Sequence, residues 1–190
     1  CFFSVSSGPV IAVGAQLGLI AWGIILRANP HRWVILWSSG IVCYIIAELA
    51  SGRSAIYAIV TRISFNPQTA FSRRILFNYG VDQMGRTPLF GIGYKPMPLP
   101  AWMTGSVDNF WLFLGVRFGI PALLLLAAAF VVAMIASGRR DLSADPALYP
   151  LRRAWIFTLF SLILVLATVA IWGELYSLVL FTLGSGMWLL

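Results

Sequence analysis

Positive charge is concentrated in one long segment, residues 51–109, of an otherwise strongly apolar chain. The segment carries Arg53, Arg62, Arg73, Arg74, Arg86 and Lys95. A surface with this much positive charge attracts and holds anions. Scattered charges on a solvated loop are the ordinary alternative. We predict that the segment forms a surface that holds an anionic ligand.

Two glycines and an Asp-Asn pair accompany these charges. The stretch PLFGIG places Gly91 and Gly93 where the backbone can turn sharply or approach a ligand closely. Asp108 and Asn109 directly precede a long apolar run, where either side chain could accept a hydrogen bond from the first-turn amides of a helix. The pair therefore has two interpretations, a helix cap and a part of the site, and the sequence leaves both open.

Arg117 stands two turns into that apolar run, on the same helical stripe as Phe113. An arginine inside a membrane helix costs about 3 kcal/mol on insertion scales, and such residues usually face a polar cavity or partner. The alternative is that the side chain extends back to the membrane interface, since only about 10 Å separates it from the helix start. Gly115, Gly119 and Pro121 predict close packing and a kink around it.

Other kinds of catalytic site find little support. The single histidine, His31, lies in a short basic connection, and Cys1 and Cys43 stand far apart. The scattered carboxylates have no imidazole or thiolate beside them, so the usual zinc and calcium ligand sets cannot be assembled. A Ser-His-Asp arrangement is excluded for the same reason. We therefore predict no metal site and no cofactor.

The composition identifies the elements that must position these residues. Of 190 residues, 60% are hydrophobic and 10% charged, whereas a soluble domain is about 45–50% apolar and about 25% charged. The 13 Lys and Arg exceed the 6 Asp and Glu, giving a net charge of +7 that would also suit a nucleic-acid-binding protein. Most of these charges, however, sit in short clusters between apolar runs, as topology signals do. The chain is predicted to be an integral membrane protein with no nucleic-acid partner.

Five apolar stretches are long enough, or nearly so, to cross a bilayer, which takes roughly 20 residues per helix. They are residues 8–26, 34–50, 110–136, 154–172 and 175–190. The predicted fold class is an all-α integral membrane protein of about five transmembrane helices. The chain starts without Met and enters apolar sequence at once. We interpret residues 1–190 as a single membrane domain, the C-terminal part of a longer multi-spanning protein.

Basic connections predict the orientation in the membrane. RANPHRW joins the first two stretches and SGRRDLSADPALYPLRR joins the third and fourth, and such clusters face the cytoplasm. A tight turn at Gly173 and Glu174 then lies on the outer side, as does the segment 51–109. We predict that this segment is a long outer loop containing short helices. Residues 54–63 fit an interfacial or re-entrant helix, because apolar residues recur there at helical spacing.

Four stretches between Glu48 and Pro121 together carry a family resemblance. They read ELASGRSA, FSRRILFNYG, PLFGIG and WMTGSVDNFWLFLGVRFGIP, with an arginine fifteen residues before the proline of the third. These stretches resemble the C-terminal domain of the O-antigen ligase/polymerase superfamily. Members are multi-spanning inner-membrane glycosyltransferases that take a glycan from undecaprenyl diphosphate at the periplasmic face. Polymerases pass it to another lipid-linked repeat unit, and ligases pass it to lipid A core.

The resemblance assigns individual residues. The Ser-Arg arginine of the family corresponds to Arg53, which stands here in Ser-Gly-Arg-Ser. Its loop arginine corresponds best to Arg73, with Arg74 as the alternative, and its P-x-x-G-x-G motif corresponds to PLFGIG. The His-Asn pair of the ligases corresponds to Asp108 and Asn109. The ligase histidine is thus absent, and the Asp-Asn variant resembles polymerase-like members.

The resemblance implies that the protein polymerises (or ligates) lipid-linked oligosaccharides for lipopolysaccharide O-antigen or exopolysaccharide, with the long loop in the periplasm. Arg53 and Arg73 would bind and stabilise the diphosphate leaving group, because arginine pairs well with phosphate oxygens. Asp108 would accept the proton of the attacking sugar hydroxyl. The other predicted substrate contacts are Arg74, Arg86, Arg117, Asn109, Gly91 and Gly93.

The implied partners are an undecaprenyl-diphosphate-linked glycan, the lipid bilayer, and a chain-length regulator or a flippase. The alternative function is a membrane transporter or flippase for an anionic lipid-linked substrate. Flippases should show charged or broken helices in several spans, whereas polar residues here concentrate in one loop and one helix. A purely structural membrane subunit is a third interpretation, which an arginine inside an apolar helix disfavours.

Overall fold

Helices, joined by turns and short loops, build the part of the chain that the structure describes. The computed structural model describes residues 7–51, 67–96, 109–143, 145–169, 171 and 173–189, and of these the side chains of residues 10–49 and of those from 73 onward. The helices are α1 (Ser7–Ile25), α2 (Arg32–Ser51), α3 (Pro67–Arg86), α4 (Phe110–Arg139), α5 (Leu148–Leu166) and α6 (Leu175–Gly184), followed by a 3₁₀ turn at Met187–Leu189. No strand occurs in the described ranges. The predicted all-α fold class is confirmed.

Three helices are long and apolar enough to cross a membrane. They are Arg32–Leu49, Phe110–Arg139 and Leu148–Leu166. Two further apolar helices, Val10–Ile25 and Leu175–Leu189, are shorter. Each of the five predicted apolar stretches therefore contains a helix, and the protein is a membrane protein.

The chain divides into two units, Cys1–Ile75 and Leu76–Leu190. In the first unit, a tight turn joins α1 to α2. The indole nitrogen of Trp22 donates to the carbonyl of Arg32 at 2.9 Å, and Nη1 of Arg32 donates to the carbonyl of Arg27 at 3.0 Å. His31 lies exposed in this turn, with its amide bonded to the side chain of Asn29 at 2.9 Å. The predicted basic connection is thus a compact turn.

In the second unit, α4 doubles back on itself at Gly119. The backbone there has φ 87° and ψ 171°, which is not helical. Trp111 and Phe130 would be about 28 Å apart along a straight helix, yet their ring centroids are 6.0 Å apart. The first limb (residues 110–118) and the second limb (residues 120–139) therefore run side by side in opposite directions. The apolar helix predicted over 110–136 and the kink expected in it are both present, and the kink reverses the direction of the chain.

The second limb alone matches the thickness of a membrane. At 1.5 Å per residue, residues 120–139 extend about 30 Å, which is the thickness of the hydrocarbon core of a bilayer. Apolar side chains of both limbs, α5, α6 and the 3₁₀ turn form one core, whose buried members are Phe110, Phe130, Ala133, Trp155, Leu159, Leu166, Val179 and Leu189. Buried indole nitrogens are satisfied there: Trp155 donates to the carbonyl of Thr182 at 2.9 Å.

The basic connection between α4 and α5 is shorter than predicted. Arg152 and Arg153 lie inside α5 rather than in a loop before it, because the helix begins at Leu148. Nη1 of Arg152 donates to the carbonyl of Arg140 at 2.6 Å, and Nη1 of Arg140 donates to the carbonyl of Trp188 at 2.7 Å. These bonds satisfy carbonyls at helix ends, which have no partner within the helix. The arginines thus tie the end of α4 to the start of α5 and to the 3₁₀ turn.

Helix α3 occupies part of the segment that was predicted as a loop with short helices. Within the second unit, its inner face packs on the first limb. A Cβ atom built on Gly80 would lie 2.7 Å from a methyl carbon of Leu112, and one built on Gly115 would collide with the sulfur of Met84. Its exposed face carries Asn78, Asp82 and Arg86 at intervals of four residues. The predicted helix at 54–63 lies outside the described residues.

Candidate functional site

The PLFGIG stretch caps the first limb of α4. The amide of Ile92 donates to the carbonyl of Val116 at 2.9 Å, and the amide of Gly93 donates to the carbonyl of Arg117 at 2.9 Å. These two carbonyls belong to the last turn of the first limb, where no amide of the same limb remains to bond them. The loop therefore supplies the hydrogen bonds that the reversal at Gly119 removes.

The same loop also satisfies the start of the second limb. The amide of Ile120 donates to the carbonyl of Pro88 at 2.8 Å. Pro121, which follows, has no amide hydrogen and is tolerated because it stands in the first turn of a helix. A Cβ atom on Gly119 would collide with the carbonyl oxygen of Leu89. One short loop thus holds both halves of the reversal, and we call this arrangement the elbow (residues 88–93 with residues 116–121).

Both motif glycines have the left-handed backbone conformation, with φ 64° at Gly91 and φ 62° at Gly93. Their surroundings differ. A Cβ atom on Gly91 would lie 2.5 Å from the carbonyl carbon and oxygen of Arg117, whereas a Cβ atom on Gly93 would meet nothing within 4 Å. The amides of both glycines are already bonded within the protein. Both glycines therefore help to build the elbow. Their contact with substrate stays a prediction.

We expect Gly91→Ala to lower stability more than Gly93→Ala. Both changes force an L residue into the left-handed region, which costs roughly 1–2 kcal/mol. Only Gly91→Ala adds a collision with the backbone of α4, and overpacking typically costs a further 1–3 kcal/mol. Thermal unfolding of the full-length protein in detergent measures the difference. Equal melting temperatures for the two variants would contradict the close approach at Gly91.

The side chain of Arg117, like its backbone carbonyl, is hydrogen-bonded to the loop that contains Gly93. Nη1 donates to the carbonyl of Gly93 at 2.8 Å and to the carbonyl of Lys95 at 2.6 Å. The guanidinium carbon lies 5.5 Å from the ring centroid of Phe113, as expected for residues on one helical stripe. The side chain is half-buried. The loop therefore fixes the position of one positive charge near the start of the spanning limb.

Two tyrosines pack against the first limb of α4. Tyr176 in α6 lies edge-on against Phe110, the first residue of α4, with ring centroids 5.9 Å apart. The ring of Tyr94 stacks edge-on against Phe118, with centroids 6.2 Å apart. Sequence reasoning did not identify these tyrosines, because only the folded arrangement brings the start of α6 to the start of α4 and Tyr94 to Phe118. The only feature of the sequence that could have indicated Tyr176 is its position just after the turn at Gly173.

Asn109 is the N-cap of α4. Its backbone is extended, with φ −152° and ψ 111°, and its side-chain oxygen accepts a hydrogen bond from the amide of Leu112 at 3.0 Å. The residue is buried. The capping interpretation of the Asp-Asn pair is confirmed for Asn109. Asp108 lies outside the described residues, as does Arg53.

The predicted loop arginines lie on α3. Arg73 shares a helical stripe with Phe77 and Gly80, and its side chain is half-buried, whereas the side chain of Arg74 is exposed. Residues four and seven positions apart lie on one face of a helix, while neighbours in sequence point about 100° apart. Which of the two arginines is the family's loop arginine stays a prediction.

Arg86 ends α3 and is exposed. Its Nη2 forms an ion pair with a carboxylate oxygen of Asp82 at 2.8 Å, one helical turn earlier. Exposed pairs of this kind contribute little to stability. Arg86 could therefore exchange Asp82 for another anion at small cost.

Comparison with models of protein families matches residues 1–127 to the family described as O-antigen ligase. The chain belongs to this family. The match includes α1, α2, α3, the elbow and the start of the second limb. No curated protein and no solved structure gave a match. Membership of the O-antigen ligase family makes the enzyme of O-antigen ligase/polymerase type, with lipid-linked glycans as the substrate class in a membrane.

Proposed function

We propose that this protein is a bacterial inner-membrane glycosyltransferase that polymerises undecaprenyl-diphosphate-linked oligosaccharides in surface polysaccharide synthesis. Membership of the O-antigen ligase family is the observation that carries the proposal. The reaction takes place at the periplasmic face, where residues 51–109 form the loop. The proposed orientation rests on the basic residues at the other end of the second limb, Arg139 and Arg140, which face the cytoplasm.

The reaction requires charge stabilisation on the donor side. The bond between the anomeric carbon and the diphosphate oxygen breaks, and its electron pair stays on the diphosphate. Arg53 and Arg73 bind these oxygens and stabilise the charge that develops on them. Arg117 and Arg86 provide further positive charge near the elbow, which lies about 20 Å along α3 from Arg73, so they would contact a different part of the lipid-linked substrate. The first is fixed by two backbone carbonyls, and the second is exposed on α3.

The acceptor side requires a base. The hydroxyl oxygen of the acceptor sugar forms the new bond to the anomeric carbon, and its proton passes to the carboxylate of Asp108. Asn109 supports this role indirectly, because it already caps α4 with its own side chain. The helix therefore does not need Asp108 as a cap. The Asp-Asn pair in place of the ligase His-Asn favours a polymerase over a ligase.

Cells that lack the gene for the full-length protein test this function. We expect single repeat units to accumulate on the lipid carrier and long chains to disappear from the surface. Long chains that remain on the lipid carrier would instead indicate a ligase. Unchanged glycans inside the cell with none exported would indicate a flippase, and would contradict the proposal. The profile of lipid-linked glycans, resolved by size, distinguishes these outcomes.

A further inference from the structure

Helix α3 presents a polar face that the described part of the chain leaves uncovered. This face consists of four exposed residues, Asn78, Asp82, Gly85 and Arg86. At about 100° per residue, their positions fall within a sector of about 100° around the helix. The opposite side of α3 packs on the first limb of α4. We call these four residues the polar face of α3.

The polar face does not lie against lipid. The first limb, on which α3 packs, runs beside the second limb, which belongs to a helix apolar enough to cross a membrane. Asp82 and Arg86 form an ion pair at 2.8 Å, and charged side chains in hydrocarbon are so costly that in membrane proteins they face a polar cavity or partner. The polar face therefore adjoins water or a polar ligand at any depth of the elbow in the bilayer.

The residues of this face are poor choices for a helix surface that contacts only water. Asn, Asp and Gly have lower helix propensities than Ala, Glu or Lys, and α3 contains neither Glu nor Lys. Gly85 is the clearest case. Its φ is not positive, and a Cβ atom built on it would meet nothing within 4 Å. Neither the backbone nor the packing requires a glycine here, whereas a ligand that approaches the backbone closely would require one.

The functional groups of this face match those of a neutral sugar. Each sugar hydroxyl both donates and accepts a hydrogen bond. The carboxylate of Asp82 accepts, the guanidinium of Arg86 donates, and the amide of Asn78 does both. The ion pair joins one carboxylate oxygen of Asp82 to one nitrogen of Arg86, and both side chains have further acceptor or donor sites. The carboxylate in this set favours neutral sugars over an acidic ligand, because like charges repel.

We propose that the polar face of α3 binds the glycan part of the lipid-linked substrate. Asn78, Asp82 and Arg86 form hydrogen bonds with sugar hydroxyls. A sugar ring lies against the helix backbone at Gly85. The inference rests on the proposed function, which supplies this substrate. Along α3 the face lies between Arg73 and the elbow, so sugars that follow a diphosphate bound at Arg73 extend along it. The face thus contributes to affinity for the glycan and not to affinity for the diphosphate.

Binding of two lipids to the full-length protein in detergent tests this inference. The first probe is the lipid-linked glycan extracted from cells that lack the gene, and the second is undecaprenyl diphosphate without sugars. The variants are Asn78→Ala, Asp82→Ala and Gly85→Ala. Gly138→Ala is the matched control. Like Gly85, Gly138 is exposed, has nothing within 4 Å of an added Cβ atom, and stands just before the arginine that ends its helix.

We expect Asn78→Ala to weaken binding of the lipid-linked glycan about 2- to 10-fold, and Asp82→Ala about 10- to 100-fold. These are the losses typical of one hydrogen bond to a neutral and to a charged group. Gly85→Ala should weaken binding about 5-fold or more through a collision with the sugar, without lowering the melting temperature. Gly138→Ala should leave both binding and melting temperature unimpaired. Binding of undecaprenyl diphosphate should be unchanged in all four variants.

Unchanged binding of the lipid-linked glycan in all three variants would mean that the face contacts only water, and would overturn the inference. Equal losses for the two probes would place the effect at the diphosphate or in the fold, and would also overturn it. The proposed function fails separately. A wild-type protein that binds the lipid-linked glycan but forms no polymer from it is not a polymerase, yet a loss of glycan binding confined to the three variants would still support the polar face as the glycan site.

Discussion

Replacing Arg73 by alanine is expected to lower polymer formation by about 100- to 1,000-fold, the loss typical when one donor to a developing charge is removed. Arg73 lies half-buried on the inner stripe of α3, where its direction is restricted by the helix. Lysine keeps the charge but lacks the planar pair of donors that matches two phosphate oxygens. Arg73→Lys should therefore recover little activity. Polymer made by variant strains, normalised to protein in the membrane, is the measurement.

Arg74 provides the matched control for Arg73. It is adjacent in sequence, has the same charge, and points about 100° away from Arg73 on an exposed part of the helix. Arg74→Ala should cause a much smaller loss than Arg73→Ala. Equal losses would mean that the two arginines contribute only general positive charge. A larger loss for Arg74→Ala than for Arg73→Ala would identify Arg74 as the family's loop arginine.

The sequence predicted the apolar helices well, because length and hydrophobicity are local properties. The predicted stretches 8–26 and 34–50 nearly coincide with α1 (Ser7–Ile25) and α2 (Arg32–Ser51). The fourth stretch was predicted at 154–172, six residues later than α5 at either end. That error came from reading Arg152 and Arg153 as loop residues, whereas they lie in the first turns of the helix, where Arg152 bonds to the end of α4.

The reversal at Gly119 could be anticipated only as a kink. Gly119 and Pro121 indicate a weak point in a helix, and both are local signals. The reversal itself depends on amides of Ile92 and Gly93, more than twenty residues earlier in the chain. Such long-range backbone bonds have no signature in composition or periodicity. The glycines of PLFGIG were accordingly interpreted as substrate contacts, and the role of this stretch in holding the two limbs appeared only in the fold.

Short helices were predicted in the segment 51–109, but α3 was not located, for a different reason. Its exposed residues Asn78, Asp82 and Arg86 gave the segment the composition of a loop. The opposite positions 73, 77, 80 and 84 do follow a helical spacing. They contain an arginine and a glycine, so an apolar stripe was not visible. Packing of Gly80 against Leu112 shows why a small residue belongs on that face.

The capping of α4 by Asn109 makes a test of Asp108 possible without confusion with helix stability. Asn109→Ala removes the oxygen that accepts from the amide of Leu112, and loss of an N-cap costs about 1 kcal/mol. Asn109→Asp keeps an accepting oxygen and should keep the stability of the protein. Thermal unfolding in detergent measures the stability of both variants, and the polymer made by the same variants measures the activity lost with the cap.

Asp108→Asn is then expected to abolish polymer formation while leaving the melting temperature unchanged. The amide cannot take the proton of the attacking hydroxyl, and a general base typically contributes about 100- to 10,000-fold in rate. Asp108→Glu keeps the carboxylate at a shifted position and should retain part of the activity that Asp108→Asn loses. Since Asn109 carries the cap, a fall in polymer with Asp108→Asn cannot be ascribed to the end of the helix. An Asp108→Asn protein that still makes long chains would remove the base from the mechanism, and would leave the arginines as the whole of the catalytic apparatus on this side of the membrane.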